Sequence, residues 1–353
     1  MRLPCLLLAA IFGRAEAWAP AHPQLLTRWA ADVSPTHVKP EHPRPDAWRG
    51  EGSWQSLNGL WEADGAPADL SAPPFAGAMP QQILVPFPFE AALSGIRMLP
   101  KHHYMWYRRN LTVPAAKLSG GGRVLLKFEA VDWHSELWIN KKHIGNHSGG
   151  YDGFEFDITD ALDGEGGASL VLGVYDPTEA GNQPHGKQSM GVFAATKASS
   201  KYTSTSGIWA TVWLEFVPST YIADLHVVST VAESSATVSV EASLGGSAAP
   251  AGCSVQVALL DSTAGHATGP AATPIAVHLS PMPKLWSPAS PFLHNLTATL
   301  SCGGKEIDVL NSYVGIRQIE LKRVRTPQSE GCAYTPGADT LPGYPRKMDS
   351  AAA

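Results

Sequence analysis

Phe154-Glu155-Phe156-Asp157-Ile158-Thr159 is the stretch that decides the fold, because its apolar and polar residues alternate strictly. Successive side chains of a β-strand point to opposite faces, so this alternation is typical of a strand with one buried face. The same period of two recurs at Val124–Ala130, Leu170–Val174 and Ile208–Phe216. The sequence therefore predicts an all-β fold built of short strands.

Turn signals separate these runs, and helical signals are short. Asn140-Lys141 lies between two strand-like runs, where Asn can adopt the left-handed backbone conformation that a tight hairpin needs. Residues 89–95 predict one or two helical turns that end at Gly95 as a C-cap. Because long helices do not alternate with the strands, the pattern does not support a parallel α/β domain.

A second block of strand patterns begins after Pro218. About a hundred residues with roughly seven short strands has the size of an immunoglobulin-like sandwich. We therefore expect a first β domain at residues 51–218 and an immunoglobulin-like domain at residues 219–322. A Pro-rich lead occupies residues 18–50. Pro and Gly without periodicity predict a disordered tail at residues 323–353.

The composition supports this all-β, two-domain organisation and argues against other classes of protein. The 353 residues include 33 Gly, 29 Pro and 11 Trp, and only 16% are charged, against about 25% in typical domains. The net charge is −5 and the Lys and Arg residues are scattered. Because no basic stripe is present to neutralise phosphates, nucleic acid is not expected as a partner. No later stretch approaches the about 20 apolar residues of a membrane span.

The start of the chain resembles a secretory signal peptide. Arg2 is followed by an apolar run at residues 3–12, and Ala15-Glu16-Ala17 fits the small-x-small rule for cleavage. We therefore expect residues 1–17 to be a signal peptide, with a buried strand as the alternative. The mature protein is then expected in the secretory pathway, outside the cell or in a vacuole-like compartment.

Secretion implies that cysteines can form disulfides and that sequons can be glycosylated. Cys253, Cys302 and Cys332 remain after residue 17, and an oxidising compartment allows one disulfide among them. Cys253 with Cys302 is the preferred pair because both lie in the same β-rich region. Three sequons match the glycosylation pattern. Asn146 is expected on an exposed loop, whereas Asn110 and Asn295 begin strand-like runs and are expected to be shielded.

Few residues carry chemistry by their spacing. The sequence lacks a Gly-x-Ser-x-Gly elbow, a phosphate-binding Gly-rich loop and a Cys-x-x-Cys pair. An acidic cluster, which allows either a structural calcium ion or a solvated turn, follows one strand at Asp157, Asp160, Asp163 and Glu165. Without the glycine and final Glu of an EF-hand, the solvated turn is preferred, and neither a metal site nor a cofactor is expected. Core positions are preferred over a sugar-contacting surface for the strand tryptophans, which are Trp133, Trp138, Trp209 and Trp213.

Seven segments, taken in order, resemble the N-terminal half of glycoside hydrolase family 2, the family of β-galactosidases, β-glucuronidases and β-mannosidases. They extend from about Trp54 to Leu321. The segments are Leu57–Trp61, Val85–Ile96, Trp106–Arg109, Phe128–Thr159, Ser206–Glu215, Leu285–Leu293 and Ser312–Arg317.

The resemblance implies a galactose-binding-like jelly-roll domain followed by an immunoglobulin-like β-sandwich. In this family a (β/α)₈ barrel follows and carries two catalytic glutamates, an acid/base and a nucleophile. Only 36 residues follow Arg317, too few for a barrel, so we expect no catalytic residue in this chain. Some members place an acidic sugar-contacting residue shortly before the Gly207-Ile208 pair. Here Tyr202 is the candidate substrate-binding residue at that place, with an ordinary loop residue as the alternative.

Two functions from different classes follow from the resemblance. The first is the non-catalytic N-terminal portion of a secreted family 2-type glycosidase, from a truncated gene, splice form or gene model. This portion would work with a catalytic barrel, where a longer form exists, in hydrolysing O-glycosyl bonds. The second is a free-standing secreted carbohydrate-binding module. In both, the expected partner is a carbohydrate, and the chain alone is expected to be inactive as a hydrolase.

Overall fold

The computed structural model of the protein describes residues 18–22, 25–42, 45–163, 167–194, 200–249, 252–260, 265–326 and 329–336. The predicted signal peptide, residues 1–17, lies outside this range.

The chain forms two compact units. The first comprises Met1–Pro43, Ser56–Ala115 and Leu125–Leu214, and the second comprises Arg44–Gln55, Ala116–Val124 and Glu215–Ala353. The main change of unit therefore falls just before the predicted boundary at Pro218.

Strands dominate the described residues. In chain order they are β1 (Ala47–Trp48), β2 (Trp54–Ser56), β3 (Gly59–Asp64), β4 (Gln81–Val85), β5 (Tyr104–Thr112), β6 (Arg123–Phe128), β7 (Val131–Asp132), β8 (His134–Ile139), β9 (Lys142–Ser148), β10 (Phe154–Asp157), β11 (Gly167–Tyr175), β12 (Gly207–Ile208), β13 (Val212–Val217), β14 (Thr220–Val231), β15 (Ala236–Gly246), β16 (Cys253–Leu259), β17 (His266–Gly269), β18 (Ile275–Leu279), β19 (His294–Cys302), β20 (Lys305–Val314), β21 (Ile319–Thr326) and β22 (Ser329–Pro336). The all-β fold that the sequence predicts is confirmed.

Among the described residues, helices are limited to single turns. The α-helical turns are α1 (Ala115–Leu118) and α2 (Met190–Phe193), and 3₁₀ turns lie at Arg28–Asp32, Ala92–Ser94, Ser119–Gly121, Thr159–Ala161 and Thr178–Ala180. None of the helices within the described ranges has the length and apolarity needed to cross a membrane.

The first unit is built on a six-stranded sheet of order β4-β3-β5-β11-β8-β9, and a four-stranded sheet has the order β10-β6-β13-β2. Strands β5 and β11 pair antiparallel over their full length, from Tyr104 opposite Tyr175 to Thr112 opposite Gly167. Side chains that face the core are large and fully buried, including Trp61, Tyr107, Phe89 and Phe128. Burying such apolar surface is the main force that holds two sheets together.

Local predictions in this unit are confirmed. In β10, Phe154 and Phe156 are partly buried whereas Glu155 and Asp157 are exposed, as alternation requires. Asn140 and Lys141 have φ values of 49° and 68° and form the tight turn between β8 and β9. Gly95 ends a 3₁₀ turn with a φ of 84°, a conformation that glycine adopts without steric cost.

The second unit contains a five-stranded sheet of order β1-β20-β19-β16-β17 and a three-stranded sheet of order β14-β15-β18. Alternating apolar residues from both sheets form one core, which includes Val238, Val240, Val255, Val257, Leu296 and Leu300. Cys253 and Cys302 lie opposite each other in β16 and β19, and their sulfur atoms are bonded. This arrangement is the expected immunoglobulin-like sandwich.

The end of the Pro-rich lead belongs to this second unit. Strand β1 pairs with β20, so that Ala47 lies opposite Ser312. Directly after it, the buried Arg49 guanidinium donates two hydrogen bonds to the Asp308 carboxylate, at 2.9 and 2.8 Å. Arg49 also donates to Glu215 and, at 2.7 Å, to the carbonyl of Ile222. Three distant parts of the chain therefore meet at one buried cation.

The tail differs in part from its prediction. Residues 323–353 are predicted to be disordered, but β21 and β22 pair antiparallel from Ile319 opposite Pro336 to Thr326 opposite Ser329. The prediction overlooked the β-favouring residues of these two stretches, such as Val324 and Tyr334. Residues 337–353 lie outside the described range.

Replacing Arg49 with Met tests the buried cation. The Asp308 and Glu215 side chains are only 4% and 10% exposed, so each would lose its counter-charge in a dry environment. We expect the free energy of unfolding to fall by about 3–5 kcal/mol. The measurement is guanidinium denaturation followed by tryptophan fluorescence. The matched control is Lys127→Met, which breaks a 2.8 Å pair with the more exposed Glu155 and should cost about 1 kcal/mol or less. Equal losses in the two variants would contradict the prediction.

Candidate functional site

Three carboxyl groups lie buried together in the first unit. Glu90 follows β4, Asp132 ends β7, and Asp176 comes directly after β11. Their exposed fractions are 7%, 2% and 2%. Carboxylates are rarely buried without compensation, because the loss of water disfavours the charged form. This carboxyl cluster is the most unusual electrostatic feature of the described residues.

The segment around Ser206 holds two members of the cluster. The Ser206 backbone N–H donates to Glu90 Oε2 at 3.0 Å, and the Ser206 side chain hydrogen-bonds both Glu90 and Asp176. Asp176 also accepts a 2.7 Å bond from the Thr178 N–H. Glu90 Oε1, by contrast, has no hydrogen-bond partner among the described residues. The cluster is therefore only partly satisfied by hydrogen bonds.

Burial raises the pKa of all three carboxyl groups. For Asp132, burial and the nearby Asp176 and Glu90 raise the pKa to about 7, and the hydrogen bond from Gln188 offsets only part of this shift. Burial is also the largest cause of the raised pKa of Glu90 and of Asp176. Mutual repulsion adds to the effect because three like charges cannot ionise independently in one dry place.

Asp132 connects the carboxyl cluster to the surface. Gln188 Nε2 donates to Asp132 Oδ2 at 3.0 Å and lies 3.2 Å from the Tyr151 hydroxyl. Gln188 is held in turn by the Thr205 N–H, which donates to its Oε1 at 2.7 Å. The Tyr151 side chain is 56% exposed, and its ring meets the Trp209 ring edge-on at 6.2 Å. Trp209, Tyr151, Gln188 and Asp132 thus form an aromatic and polar edge, called the Tyr151 edge below.

Tyr202, the predicted sugar contact, lies beside this edge. Its backbone N–H and carbonyl bond to Lys187 and Ser189, on either side of Gln188. Its side chain is 68% exposed. The loop is therefore positioned by backbone pairing, and the role of Tyr202 in sugar binding stays a prediction.

Other glutamates of the strands have structural partners. Glu129 accepts a 3.1 Å bond from the Thr211 N–H. Glu155 pairs with Lys127, and Glu215 pairs with Arg49. Each of these three carboxylates therefore binds a partner within the scaffold.

The motif residues found in the sequence hold the scaffold together. Arg109 donates to the carbonyls of Leu57 and Asn58, and the Asn58 amide bridges to Thr211 and Val212. The Tyr107 hydroxyl accepts a bond from the Ile208 N–H at 3.1 Å.

Gly207 shows why that motif needs a glycine. Its φ is 83°, and a Cβ there would lie 1.9 Å from the Tyr107 hydroxyl.

In the second unit, the Arg317 guanidinium lies over the Trp286 ring at 4.6 Å, and this contact joins the last two motifs. These motif residues therefore stabilise the two folds.

The structure describes all three predicted glycosylation sites. Asn110, Asn146 and Asn295 are all exposed, and each lies in a strand. The loop predicted for Asn146 and the shielding predicted for Asn110 and Asn295 are therefore wrong.

In the acidic cluster, the Asp157 and Asp163 carboxylates accept hydrogen bonds from backbone N–H groups within turns. Glu165 lies outside the described residues, within which no group of three or more potential ligands could hold a metal ion. A solvated turn stays the prediction there, with a structural calcium ion as the alternative.

Sequence reasoning missed the carboxyl cluster and Gln188. Glu90, Asp132, Asp176 and Ser206 are far apart in the chain, so no spacing pattern connects them. A local signal did exist for Asp132, which stands in an otherwise apolar strand run next to Trp133. The four tryptophans that the sequence pattern assigns preferentially to the core are all partly buried. They therefore match neither a fully buried core position nor a fully exposed sugar-contacting surface.

Comparison with known proteins identifies the family. Residues 76–179 match the family model described as "Glycosyl hydrolases family 2, sugar binding domain", and residues 220–317 match "Glycosyl hydrolases family 2". The two matches correspond to the first and second β domains in the same order. The chain belongs to glycosyl hydrolases family 2, as its sequence motifs predict.

Relatives share this part of their length. The chain is 24% identical over 243 residues to a β-galactosidase of Thermoanaerobacter pseudethanolicus, and 28% identical over 216 residues to a β-glucuronidase of Bacteroides fragilis. These matches cover 63% and 56% of the chain but only 30% and 29% of the two relatives.

Solved structures share the fold. A β-glucuronidase from Ruminococcus gnavus superimposes with a TM-score of 0.61 at 18% identity, covering 78% of this chain and 47% of that one. The β-glucuronidase of Bifidobacterium dentium also gives 0.61, at 22% identity, covering 78% and 50%. The chain therefore spans at most half of these proteins.

Asp132→Asn tests the raised pKa of the carboxyl cluster. The folded pKa of Asp132 is about 7, against 3.8 for the free residue, so the folded state holds an extra proton between these pH values. The contribution of Asp132 to the free energy of unfolding is therefore greatest below about pH 4 and falls by up to about 4 kcal/mol as pH rises to about 7. We expect Asp132→Asn to remove this contribution and to retain the part of the pH dependence that comes from the burial of Glu90 and Asp176. The measurement is denaturant unfolding from pH 4 to 8.

The control for this experiment is Asp224→Asn, because Asp224 is exposed and belongs to the second unit. It should leave the pH dependence of the unfolding free energy unchanged. An Asp132→Asn protein with the same pH slope as the unmodified protein would show that Asp132 ionises normally in the folded state.

Proposed function

We propose that this chain provides the non-catalytic N-terminal portion of a family 2-type glycosidase, in which the jelly-roll domain contacts the carbohydrate substrate. The observation that carries the proposal is the Tyr151 edge. There the Gln188 amide lies within hydrogen-bond distance of both the hydroxyl of the exposed Tyr151 and the buried Asp132 carboxyl group. Sugar sites combine these elements, because apolar C–H faces pack on aromatic rings while hydroxyls need polar partners.

Each residue of the edge has a role in this proposal. The Tyr151 ring offers a face for a pyranose, and its hydroxyl and Gln188 offer donors and acceptors to sugar hydroxyls. Asp132 accepts from the Gln188 amide and so sets which way that amide points. A carboxyl group with a pKa near 7 can also donate or accept a hydrogen bond according to pH.

Hydrolysis needs two further carboxyl groups. Retaining glycosidases protonate the leaving oxygen with one carboxyl group and attack the sugar with another, about 5 Å away. We assign these groups to a catalytic (β/α)₈ barrel that works with this chain. The reaction would be the hydrolysis of O-glycosyl bonds in carbohydrate metabolism. The names of the relatives support β-galactosides or β-glucuronides as substrates.

We further propose that the protein enters the secretory pathway and works outside the cell or in a vacuole-like compartment. The signal-like residues 1–17 support this location. So do the disulfide between Cys253 and Cys302 and the exposed positions of the three sequons.

A free-standing carbohydrate-binding module is the second candidate. The exposure of Tyr151 favours it, since a ring that is 56% exposed is available to a sugar without a further domain. Sequencing the complete transcript beyond Val324 discriminates the two candidates. An in-frame barrel sequence would support the glycosidase portion, whereas a stop codon would support the module.

Binding and turnover by the chain test the proposal. We expect no release of nitrophenol above background from nitrophenyl β-galactoside or β-glucuronide. We expect methyl β-galactoside or methyl β-glucuronide to bind in calorimetry. Tyr151→Ala should weaken this binding about tenfold, which corresponds to about 1.4 kcal/mol.

Tyr313→Ala is the control, because Tyr313 is also an exposed tyrosine, at 39%, but lies in the second unit. It should leave the affinity unchanged. Turnover above background would overturn the view that the chain lacks catalytic residues. Equal affinity in Tyr151→Ala and the unmodified chain would overturn the assigned edge.

A further inference from the structure

The outer face of the six-stranded sheet carries a second open site, a cleft of about 530 Å³. It is lined by Asp69, Leu70, Ser71, Tyr104, His134, Glu136, Trp138 and Tyr175. In β8 the residues between these outward positions, Ser135 and Leu137, are buried in the core. The cleft therefore lies on the face opposite to the core, and its volume is typical of small-ligand sites.

Gly173 lets the Trp106 ring and Leu70 pack closely against the sheet beside the cleft. In the paired strands it lies opposite Trp106 of β5 and Glu136 of β8. A Cβ at this position would lie 2.5 Å from the Trp106 ring and 3.0 Å from Leu70. Glycine weakens a strand, so its presence in the interior of β11 indicates close approach of another group. Here that group is the Trp106 ring, with Leu70 beside it.

Arg108 fixes the wall of the cleft. It forms a bidentate pair with Glu62, at 2.7 and 2.9 Å, from the neighbouring strand β3. Its remaining donors bind the carbonyls of Pro74, at 2.9 Å, and Gly77, at 2.6 Å. The loop that carries Asp69–Ser71 is thus tied to the sheet by a buried guanidinium. A preformed wall of this kind lowers the entropy cost of binding.

The floor of the cleft is aromatic. The rings of Tyr104 and Tyr175 stack at 4.7 Å with an interplanar angle of 29°. Both tyrosines are partly exposed, as is Trp138, whose ring meets the His143 ring at 5.2 Å. Stacked rings held in place by a sheet offer a flat, rigid platform for a ligand with an apolar face.

Polar groups surround this platform. Glu136 is bonded to two histidines, to His134 Nε2 at 3.1 Å and to His143 Nε2 at 2.6 Å. On the loop side, Asp69 accepts from the Ser71 hydroxyl. Carboxylates whose geometry is set by such bonds are good acceptors for pairs of ligand hydroxyls.

We propose that this cleft binds a neutral oligosaccharide of pyranose sugars, independently of the Tyr151 edge. The stacked tyrosines and Trp138 would take the C–H faces of the sugar rings. Glu136 and Asp69 would accept bonds from hydroxyls. Two carboxylates without an Arg or Lys in the lining disfavour acidic sugars, so uronic acids should be excluded.

The cleft and the Tyr151 edge are separate sites. The residues that line the cleft include none of the four residues of the Tyr151 edge. Variants of one site can therefore be compared with variants of the other. The proposal consequently does not rest on the proposed glycosidase function.

The test is calorimetric titration of the chain with cellotriose, xylotriose and mannotriose, and with trigalacturonic acid as the acidic probe. At least one neutral trisaccharide should bind, and the acidic one should not. Tyr175→Ala should weaken binding about tenfold, because one ring of the platform is lost. Tyr175→Phe keeps the ring and should retain the affinity. Glu136→Gln should also weaken binding, with the platform unchanged.

The control is Tyr313→Ala, which replaces an exposed tyrosine of the second unit and should leave trisaccharide affinity unchanged, whereas Tyr151→Ala reports separately on binding at the Tyr151 edge. Circular dichroism of each variant shows whether it folds, and Tyr175→Phe with Glu136→Gln keeps the test valid where Tyr175→Ala does not fold. The proposal is overturned by three results: no neutral trisaccharide binds, the acidic probe binds equally well, or only Tyr151→Ala lowers the affinity. The last result would assign binding to the Tyr151 edge and would leave the proposed function intact.

Discussion

The antiparallel pairing of β5 with β11 is the constraint on which the first unit depends. Because side chains alternate across a strand, this pair sends neighbouring residues of one motif to opposite faces of the sheet. Tyr107 points into the core, where its hydroxyl accepts from the Ile208 N–H. Trp106 and Arg108 point to the other face, where Trp106 packs over Gly173 and Arg108 holds the loop that forms the wall of the cleft. One strand pair therefore supports both candidate sites.

Much of this architecture follows from local sequence pattern. The strict alternation at Phe154–Asp157 and the Asn140-Lys141 turn depend on neighbouring residues only, so the sequence predicted them correctly. The pattern failed where distant contacts decide the outcome. The end of the Pro-rich lead is held in the second unit by Arg49, whose partner Asp308 lies 259 residues away. No local signal indicates such a contact.

The carboxyl cluster was beyond sequence prediction for the same reason and for an energetic one. Ser206 and Glu90 are 116 residues apart, so only the folded chain brings them together. The raised pKa of Asp132 comes mainly from burial, which no residue shows by itself. Buried charges that weaken a fold at neutral pH are expected where a protein serves a function, since stability alone would select apolar residues.

The positions of the motif residues change what the family resemblance means. Asn58, Arg109 and Gly207 bind other parts of the scaffold, so their presence explains why the fold is shared at low sequence identity. They do not contribute to the Tyr151 edge or the cleft. A resemblance carried by scaffold residues supports the fold, whereas binding must be argued from the site itself. In this chain that argument rests partly on residues within the motif segments, such as Tyr151, Trp209 and Glu136, and partly on residues outside them, such as Gln188 and Tyr175. The residues outside the motifs allow specificity to differ from that of the relatives although the sheets are the same.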